Sequence, residues 1–431
     1  MKKETTKFYF ALVIFSLVGQ VAWVVENMYL NVFIYKMFQA DAQAISKMVS
    51  ASAIAATVTT LLIGALSDKL GKRKLFICGG YLCWGVSILL FALIRKDVIQ
   101  AVFPTVSASL FGVWAVIILD CVMTFFGSSA NDACFNAWLT DSTDETNRGK
   151  VEGINAMMPL VAILVVFGGF MGLNQDLPES WTIIFCVIGG VVFFIGLLGF
   201  FLMRDTKIDT QGNQKYFANI FYGFRPSVIK KNPALYVTLA AYAVFGIAIN
   251  IFMPYLILYY TVSLGMDNYV LVFAPAILLA AAFTAVYGSV YDRKGFRTSI
   301  FAPILLLMAG FGVLYYCCSM VPVFAGTLLM LCGYLSGMAV FGAMIRDYTP
   351  ANRAGMFQGQ RIVGQVLIPG VIGPAIGAAV LKNAEQVINE DGTTSFVPNE
   401  NIFLAAFVAA LVIWLVLLPL FRMTGKEKPH V

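Results

Sequence analysis

The sequence predicts an all-α membrane protein with twelve transmembrane helices in two pseudo-symmetric six-helix bundles. Three observations predict it. Of 431 residues, 60% are hydrophobic and 12% charged, about half the ~25% charged share of a water-soluble chain. Apolar windows of about 20 residues, the length that crosses ~30 Å of hydrocarbon, recur along the chain. A short charged phrase also returns, as "GALSDKLGKRK" from Gly64 and "GSVYDRKGFR" from Gly288.

The windows fall near 8–36, 43–66, 75–94, 108–139, 149–173 and 181–203, then near 234–261, 268–290, 298–317, 322–345, 357–381 and 401–422. The first follows lysines, as a signal peptide would, but it runs past Val25 without a small-residue cleavage site and reads as a retained span. The shallowest break is Tyr316 to Val323. Loop charge then tests the count, because cytosolic loops collect lysine and arginine. With the N-terminus inside, the tracts 2–7, 69–74, 148–150, 204–231, 293–297, 346–361 and 422–428 hold 24 of the 29 basic residues. Lys36, Lys47, Arg95, Lys96 and Lys382 fall outside them. Both termini are therefore expected in the cytosol, with the chain in the plasma membrane. Residues 204–233 read as a cytosolic linker between an N-terminal bundle, 1–203, and a C-terminal bundle, 234–431, with a short surface helix around "YFANIFYGF". The net charge of +6 reflects this segregation, so no nucleic-acid partner is expected. The eight cysteines lie in apolar segments without disulfide or zinc spacing, and read as small buried hydrophobes. No metal site and no cofactor are expected.

The repeated phrase keeps its spacing. Gly64, Asp68 and Gly71 stand at offsets 0, 4 and 7, and Gly288, Asp292 and Gly295 repeat them 224 residues later. A second pair follows spans four and ten: "DSTDETNRGKVEG" from Asp141 and "DYTPANRAGMFQG" from Asp347 share D-x-T, an arginine and glycines at offsets 8 and 12. Two matches argue for two homologous halves. Each phrase is expected to make a tight charged turn, with glycine for the reversal and aspartate accepting hydrogen bonds or pairing with an arginine. The pattern G-x-x-x-D-x-x-G-x-[RK] resembles the signature loop of the major facilitator superfamily, and with the twelve spans the resemblance covers the whole chain. It implies the major facilitator fold and a transport function. In that family the loop acts as a latch on the cytosolic side. Carried over, Gly64, Asp68, Gly71, Lys72 and Arg73 form the first latch. Asp68 would then lie near the start of span eleven, with Arg148 or Arg361 as partner. Gly288, Asp292, Gly295 and Arg353 are the second-half counterparts.

An ionisable residue at the bilayer centre costs about 2.5–3.5 kcal/mol on insertion scales and asks for a reason. Glu26 in span one, and Asp120 and Asp132 in span four, are the carboxylates in question and the candidate ion-coupling residues. At 100° per residue, Gln20, Trp23, Asn27 and Asn31 share a face of span one, with Glu26 on its shoulder. Asp120, Thr124, Asn131 and Trp138 share a face of span four, while Asp132 lies about a third of a turn away, nearer Ser128 and Asn136. Such stripes are expected to line a water-accessible cavity, or else to join helices by hydrogen bonds. The second half offers neutral groups at similar depth, such as Asn250, Tyr255, Tyr259 and Gln365. Coupling chemistry is thus expected in the first half. The only histidine, His430, is in the tail, so protons, if they drive transport, travel on a carboxylate; sodium held by a carboxylate and neutral oxygens is the other possibility.

The leading expectation is a secondary active transporter working by alternating access, a proton-coupled symporter of a small solute such as a sugar or glycoside, acting as a monomer surrounded by lipid. The acidic residue in span one, with aspartate and tryptophan in span four, is similar to the glycoside–cation branch of the superfamily. The melibiose-carrier type differs in having paired aspartates within span two, where this chain has none before Asp68, so protons are favoured over sodium. The alternative is a proton-coupled exporter of drugs or other amphipathic compounds. It draws on Gly373, Pro374 and Gly377, which are similar to the G-P-x-x-G motif of drug–proton antiporters but lie on span eleven rather than span five. No Walker loop, H-E-x-x-H or nucleophile elbow supports a membrane-embedded enzyme.

Overall fold

The computed structural model describes residues 2–143, 148–203, 222–349, 357–389 and 393–424. Twelve apolar helices follow in order: α1 (Thr6–Phe38), α2 (Ala42–Ser67), α3 (Arg73–Phe91), α4 (Ala108–Asp141), α5 (Gly153–Phe170), α6 (Pro178–Leu202), α7 (Pro233–Ser263), α8 (Val270–Ser299), α9 (Phe301–Tyr316), α10 (Met320–Tyr348), α11 (Gly359–Asn383) and α12 (Asn401–Arg422). Among the described residues, eleven are long and apolar enough to cross a bilayer. The ninth, at 16 residues, covers only ~24 Å by itself. The reason lies at the end of α8, where Gly295 leaves the helical region (φ 69°, ψ 177°). The turn therefore comes at Gly295, and Phe296–Ser299 already lead into α9, extending that span to ~30 Å.

Local chemistry sets the other helix ends. Gln39 takes a left-handed conformation (φ 51°) to close α1, and the Asp41 side chain caps α2 by accepting from the Ala44 amide at 2.7 Å. Proline opens α6 and α7, where its missing N–H costs nothing. The connection before α12 carries two short strands, β1 (Gln386–Ile388) and β2 (Thr394–Phe396), which the periodicity did not predict.

The chain divides into two compact units, Met1–Tyr216 with Glu390–Ser395, and Phe217–Asn389 with Phe396–Val431. In the first, α1 packs on α5 and α6, α2 on α4, and α3 on α4 and α6. In the second, α7 packs on α11 and α12, α8 on α10, and α9 on α10 and α12. These are the same pairings shifted by six helices, so the repeat visible in the loops extends to the packing. Small residues set the closest approaches. A Cβ on Gly85 would meet the Phe193 backbone at 2.5 Å, bringing α3 against α6, and one on Gly333 would meet Leu307 at 2.4 Å, bringing α10 against α9.

Most of the expected surface helix lies outside the described residues. Its end forms a 3₁₀ turn, Tyr222–Phe224, followed by the short helix Pro226–Lys231. Three of the five basic residues that break the loop-charge pattern have polar partners within the first unit. Lys36 pairs with Asp176 at 2.7 Å, Arg95 with Asp97 at 3.0 Å and Glu179 at 3.1 Å, and Lys96 donates to Gln39 at 2.5 Å. The Arg95 hydrogen bond holds the Asp97 carboxyl below the usual range.

Candidate functional site

Three polar side chains from three helices of the first unit meet in its interior. Glu26 on α1 is buried, and its Oε1 accepts from Ser52 Oγ on α2 at 2.7 Å and from Thr124 Oγ1 on α4 at 2.9 Å. The two hydroxyls also touch each other at 2.7 Å. Glu26 Oε2 is buried with no hydrogen-bond partner. Asp120, one turn before Thr124, is 1% exposed, has its Oδ1 equally unpartnered, and lies within electrostatic reach of Glu26. No cation stands in an ion pair with either acid among the described residues. Asp132 accepts from Ser128 Oγ at 2.9 Å, with the Trp23 indole also against its carboxyl.

The helices are not regular here. Val25–Tyr29, which contains Glu26, and Ser128–Phe135, which contains Asn131 and Asp132, are both π-helical. A π turn inserts a residue and rotates everything beyond it, so a constant 100° step carries the wrong face through each of them. On α1, Gln20 and Trp23 are half-buried and Asn27 is exposed, but Asn31, beyond the π turn, is 1% exposed. Asn31 donates to the Asn27 carbonyl at 2.8 Å. On α4, Asp120 and Thr124 reach the acid cluster, while Asn131 and Trp138, past Ser128, do other work. Asn131 is buried and donates to Tyr81 Oη at 2.7 Å, which itself donates to the Phe15 carbonyl at 2.7 Å. Asn131 thus ties α4 to α3 and α1. Trp138 is buried in an aromatic cluster, 5.3 Å from Phe8 and 5.8 Å from Phe135 between ring centroids, and not on an open face.

Two contributors escaped the sequence. Ser52 has no hydropathy signature, because a helical hydroxyl can bond its own preceding turn, as Thr57 does to Ala53 at 2.8 Å. Only the helix crossing shows that Ser52 faces Glu26. Trp84 lies 5.0 Å from Trp23 between centroids, and its Nε1 is buried without a partner. Gly127 makes room for both rings, since a Cβ there would come within 2.7 Å of Trp84 and 2.9 Å of Trp23.

The second unit holds no acid at the corresponding depth among the described residues. Asn250 is half-buried and donates to the Gly246 carbonyl at 2.9 Å. Tyr255 is fully buried at the contact between α7 and α11, where Gly377 gives it room: a Cβ there would meet its ring at 2.7 Å. Gly373 plays the same part against Asn250. The G-P-x-x-G residues therefore serve close packing of α11 on α7. Gln365 is half-buried within a further π turn, Val363–Leu367.

The two signature loops share one backbone device. Gly71 (φ 64°, ψ 20°) and Gly295 (φ 69°, ψ 177°) both take positive φ, whereas Gly64 and Gly288 are helical and make no turn. The side-chain ties differ between the units. Arg73 is buried, with Nε donating to Asp141 at 2.9 Å and Nη1 to Ser67 at 2.8 Å. In the second unit Tyr291, at the motif position of Ser67, donates directly to Asp347, the counterpart of Asp141. Lys72 and Asp292 are exposed. Arg353 and the side chains of Asp68 and Arg148 lie outside the described residues, and Arg361 has a buried Nε without a hydrogen-bond partner, near Tyr242 and Arg346.

Two helical repeats of apolar spans with this packing define a multi-pass membrane protein. A family model described as the Major Facilitator Superfamily matches residues 9–374, and the chain belongs to that superfamily. No curated protein matches it in sequence. Among solved structures it is similar to a bacterial homologue of the human lysosomal transporter Spinster, in an inward-facing and occupied conformation (14% identity, 100% of each chain covered, TM-score 0.72). It is also similar to the nucleoside transporter NupG (12% identity, 96% of this chain and 99% of that one, TM-score 0.71, in a mutant form). The xylose transporter XylE from E. coli is a third (13% identity, 97% of this chain and 99% of that one, TM-score 0.69). At these identities the likeness shows the fold.

Proposed function

We propose that the chain is a proton-coupled symporter of a small polar solute of the sugar or glycoside class, working by alternating access, with Glu26 as the coupling group and Asp120 beside it. The observation that carries this reading is the closed triangle of Glu26 Oε1, Ser52 Oγ and Thr124 Oγ1, with sides of 2.7, 2.7 and 2.9 Å. Three hydrogen bonds need three hydrogens, and two hydroxyls carry two. A proton on Glu26 Oε1 supplies the third: in place of accepting from both hydroxyls, the carboxyl donates to one, that hydroxyl donates to the other, and the other donates back to Oε1. The proton also removes a bare charge whose burial without a cation would cost several kcal/mol. Loss of that proton breaks the ring, so the packing of α1, α2 and α4 is linked to the proton. Asp132, with Trp23 and Ser128, is the next carboxyl along α4 and a second stop for the proton.

The open Asn27, with Gln20 and Trp23, suits a hydroxyl-rich solute, which amide and indole groups bind through hydrogen bonds and stacking. Solved relatives described as a xylose transporter, a D-xylose-proton symporter and a nucleoside transporter agree with that class. Loop charge supports cytosolic termini and a place in the plasma membrane. A single chain holding both repeats supports a monomer. The signature loops, with Asp68 and Arg353, would act as the cytosolic latch. Proteoliposomes test the reading: an inward proton gradient is expected to drive accumulation of a sugar or nucleoside, and a sodium gradient alone is not. Sodium-driven accumulation would replace the ion. Efflux of amphipathic dyes without sugar uptake would favour the exporter, whose G-P-x-x-G trace is already used in packing.

A further inference from the structure

The segment that leads into α7 folds back on the second unit and builds a pocket of about 310 Å³, lined by Tyr222, Arg225, Ser227, Lys231, Asn232 and Phe357, with Val228 at its floor. Its frame is fixed. Tyr236 on α7 donates to the Gly223 carbonyl. The Gln360 amide, oriented to satisfy both its ends, accepts from the Gly223 and Phe224 amides and donates to the Phe357 carbonyl. Val228, Leu235, Leu239, Ile345 and Phe357 form a small apolar core beneath, with Tyr222 and Tyr236 packed against it.

The lining is chemically one-sided. It contains two cations and no acid, and neither cation makes a salt bridge among the described residues. The Arg225 guanidinium is held over the Tyr222 ring at 5.6 Å, which orients it without satisfying its donors. Ser227 adds a hydroxyl and Asn232 an amide, one of whose hydrogens goes to the Val228 carbonyl at 3.0 Å. Arg225, Ser227 and Lys231 are all exposed, so the mouth is open. An arginine fork, a lysine point charge and a hydroxyl are the donor set that recognises a phosphate group. The aromatic wall of Tyr222 and Phe357 suits the glycerol and first methylenes behind such a group.

We propose that this pocket, at the membrane edge where α7 begins, binds a phosphate group carried on an anionic phospholipid headgroup or free in solution. The lipid source is the nearer one, because the pocket adjoins the start of a membrane span and anionic lipids attract juxtamembrane basic residues. The test uses the full-length protein in nanodiscs of phosphatidylcholine with and without phosphatidylglycerol, and inorganic phosphate titrated into the phosphatidylcholine sample. The variants are Arg225→Gln with Lys231→Gln and, as a charge control outside the pocket, Lys230→Gln. Native mass spectrometry is expected to show phosphatidylglycerol retained by wild type and by Lys230→Gln, and reduced about tenfold in the double variant. Phosphate binding by calorimetry that the double variant loses, with no lipid preference, would keep the site and assign it the soluble ligand. A loss in Lys230→Gln that matches, charge for charge, the loss in the double variant would overturn the pocket in favour of diffuse attraction. Retention of lipid unchanged by the double variant, with no phosphate binding, would also overturn it.

Discussion

Glu26, Ser52 and Thr124 are separated by 26 and 72 residues in sequence, yet their oxygens stand within 2.9 Å of one another. The acid was legible because a carboxyl inside an apolar span is expensive, and Thr124 because it falls one turn from Asp120. Ser52 was not legible, since a serine in a spanning helix is cheap and common. Its part is to position Glu26, and that can be measured. A hydrogen bond in this setting is worth about 0.5–1.5 kcal/mol, or ~2–12-fold in a rate. Ser52→Ala is therefore expected to lower proton-driven uptake by a factor of that order and to alter its pH profile, while Ser52→Thr restores both. An unchanged pH profile in the alanine variant would leave Ser52 with a packing role only. The same lesson applies to Asn131 and Trp138. A polar or amphipathic residue on a predicted face can be joining helices, as the Asn131–Tyr81–Phe15 chain does.

At the scale of elements, the departures from sequence expectation have two physical sources. One is the π turn: α1, α4, α7 and α11 each contain one, at Val25–Tyr29, Ser128–Phe135, Tyr259–Ser263 and Val363–Leu367. Each contains a residue expected at the site or at its depth, and π turns are found mostly at functional positions. On α1 and α4, the two spans whose faces the 100° step assigns, a fixed step reads the near side of the turn and loses the far side. The other source is glycine, whose two uses look alike in sequence. Gly71 and Gly295 reverse the chain at positive φ, while Gly64 sits in a helix with room for a methyl group, since an added Cβ would find its nearest neighbour, Ala133 Cβ, 3.9 Å away. Gly71→Ala and Gly295→Ala are each expected to destabilise by about 1–3 kcal/mol, seen as a lower melting temperature in detergent. Gly64→Ala is expected to be neutral or to stabilise by up to ~1 kcal/mol. A melting temperature unchanged by Gly295→Ala would mean that the turn does not depend on that backbone conformation.

Across the whole molecule, the repeat and the span count were the most legible features. Both rest on gross physics: hydrocarbon thickness, loop charge, and a phrase with fixed offsets. The same helix pairings appear in each unit, but the chemistry inside them does not repeat. The first unit buries Glu26 and Asp120, and the second has Asn250 and Tyr255 engaged in packing. The signature loops diverge as well, with an Arg73–Asp141 ion pair in one unit and a Tyr291–Asp347 hydrogen bond in the other. On the proposed reading, such divergence between the repeats leaves one unit to carry a proton and the other to shape solute binding. That division of labour is tested most directly by comparing two transport modes in Glu26→Gln. Solute counterflow needs only the alternation of the binding site, whereas accumulation driven by a proton gradient needs the proton to travel with the solute. The account predicts that Glu26→Gln keeps counterflow near the wild-type rate and loses gradient-driven accumulation; a variant that still accumulates solute as wild type does would contradict it.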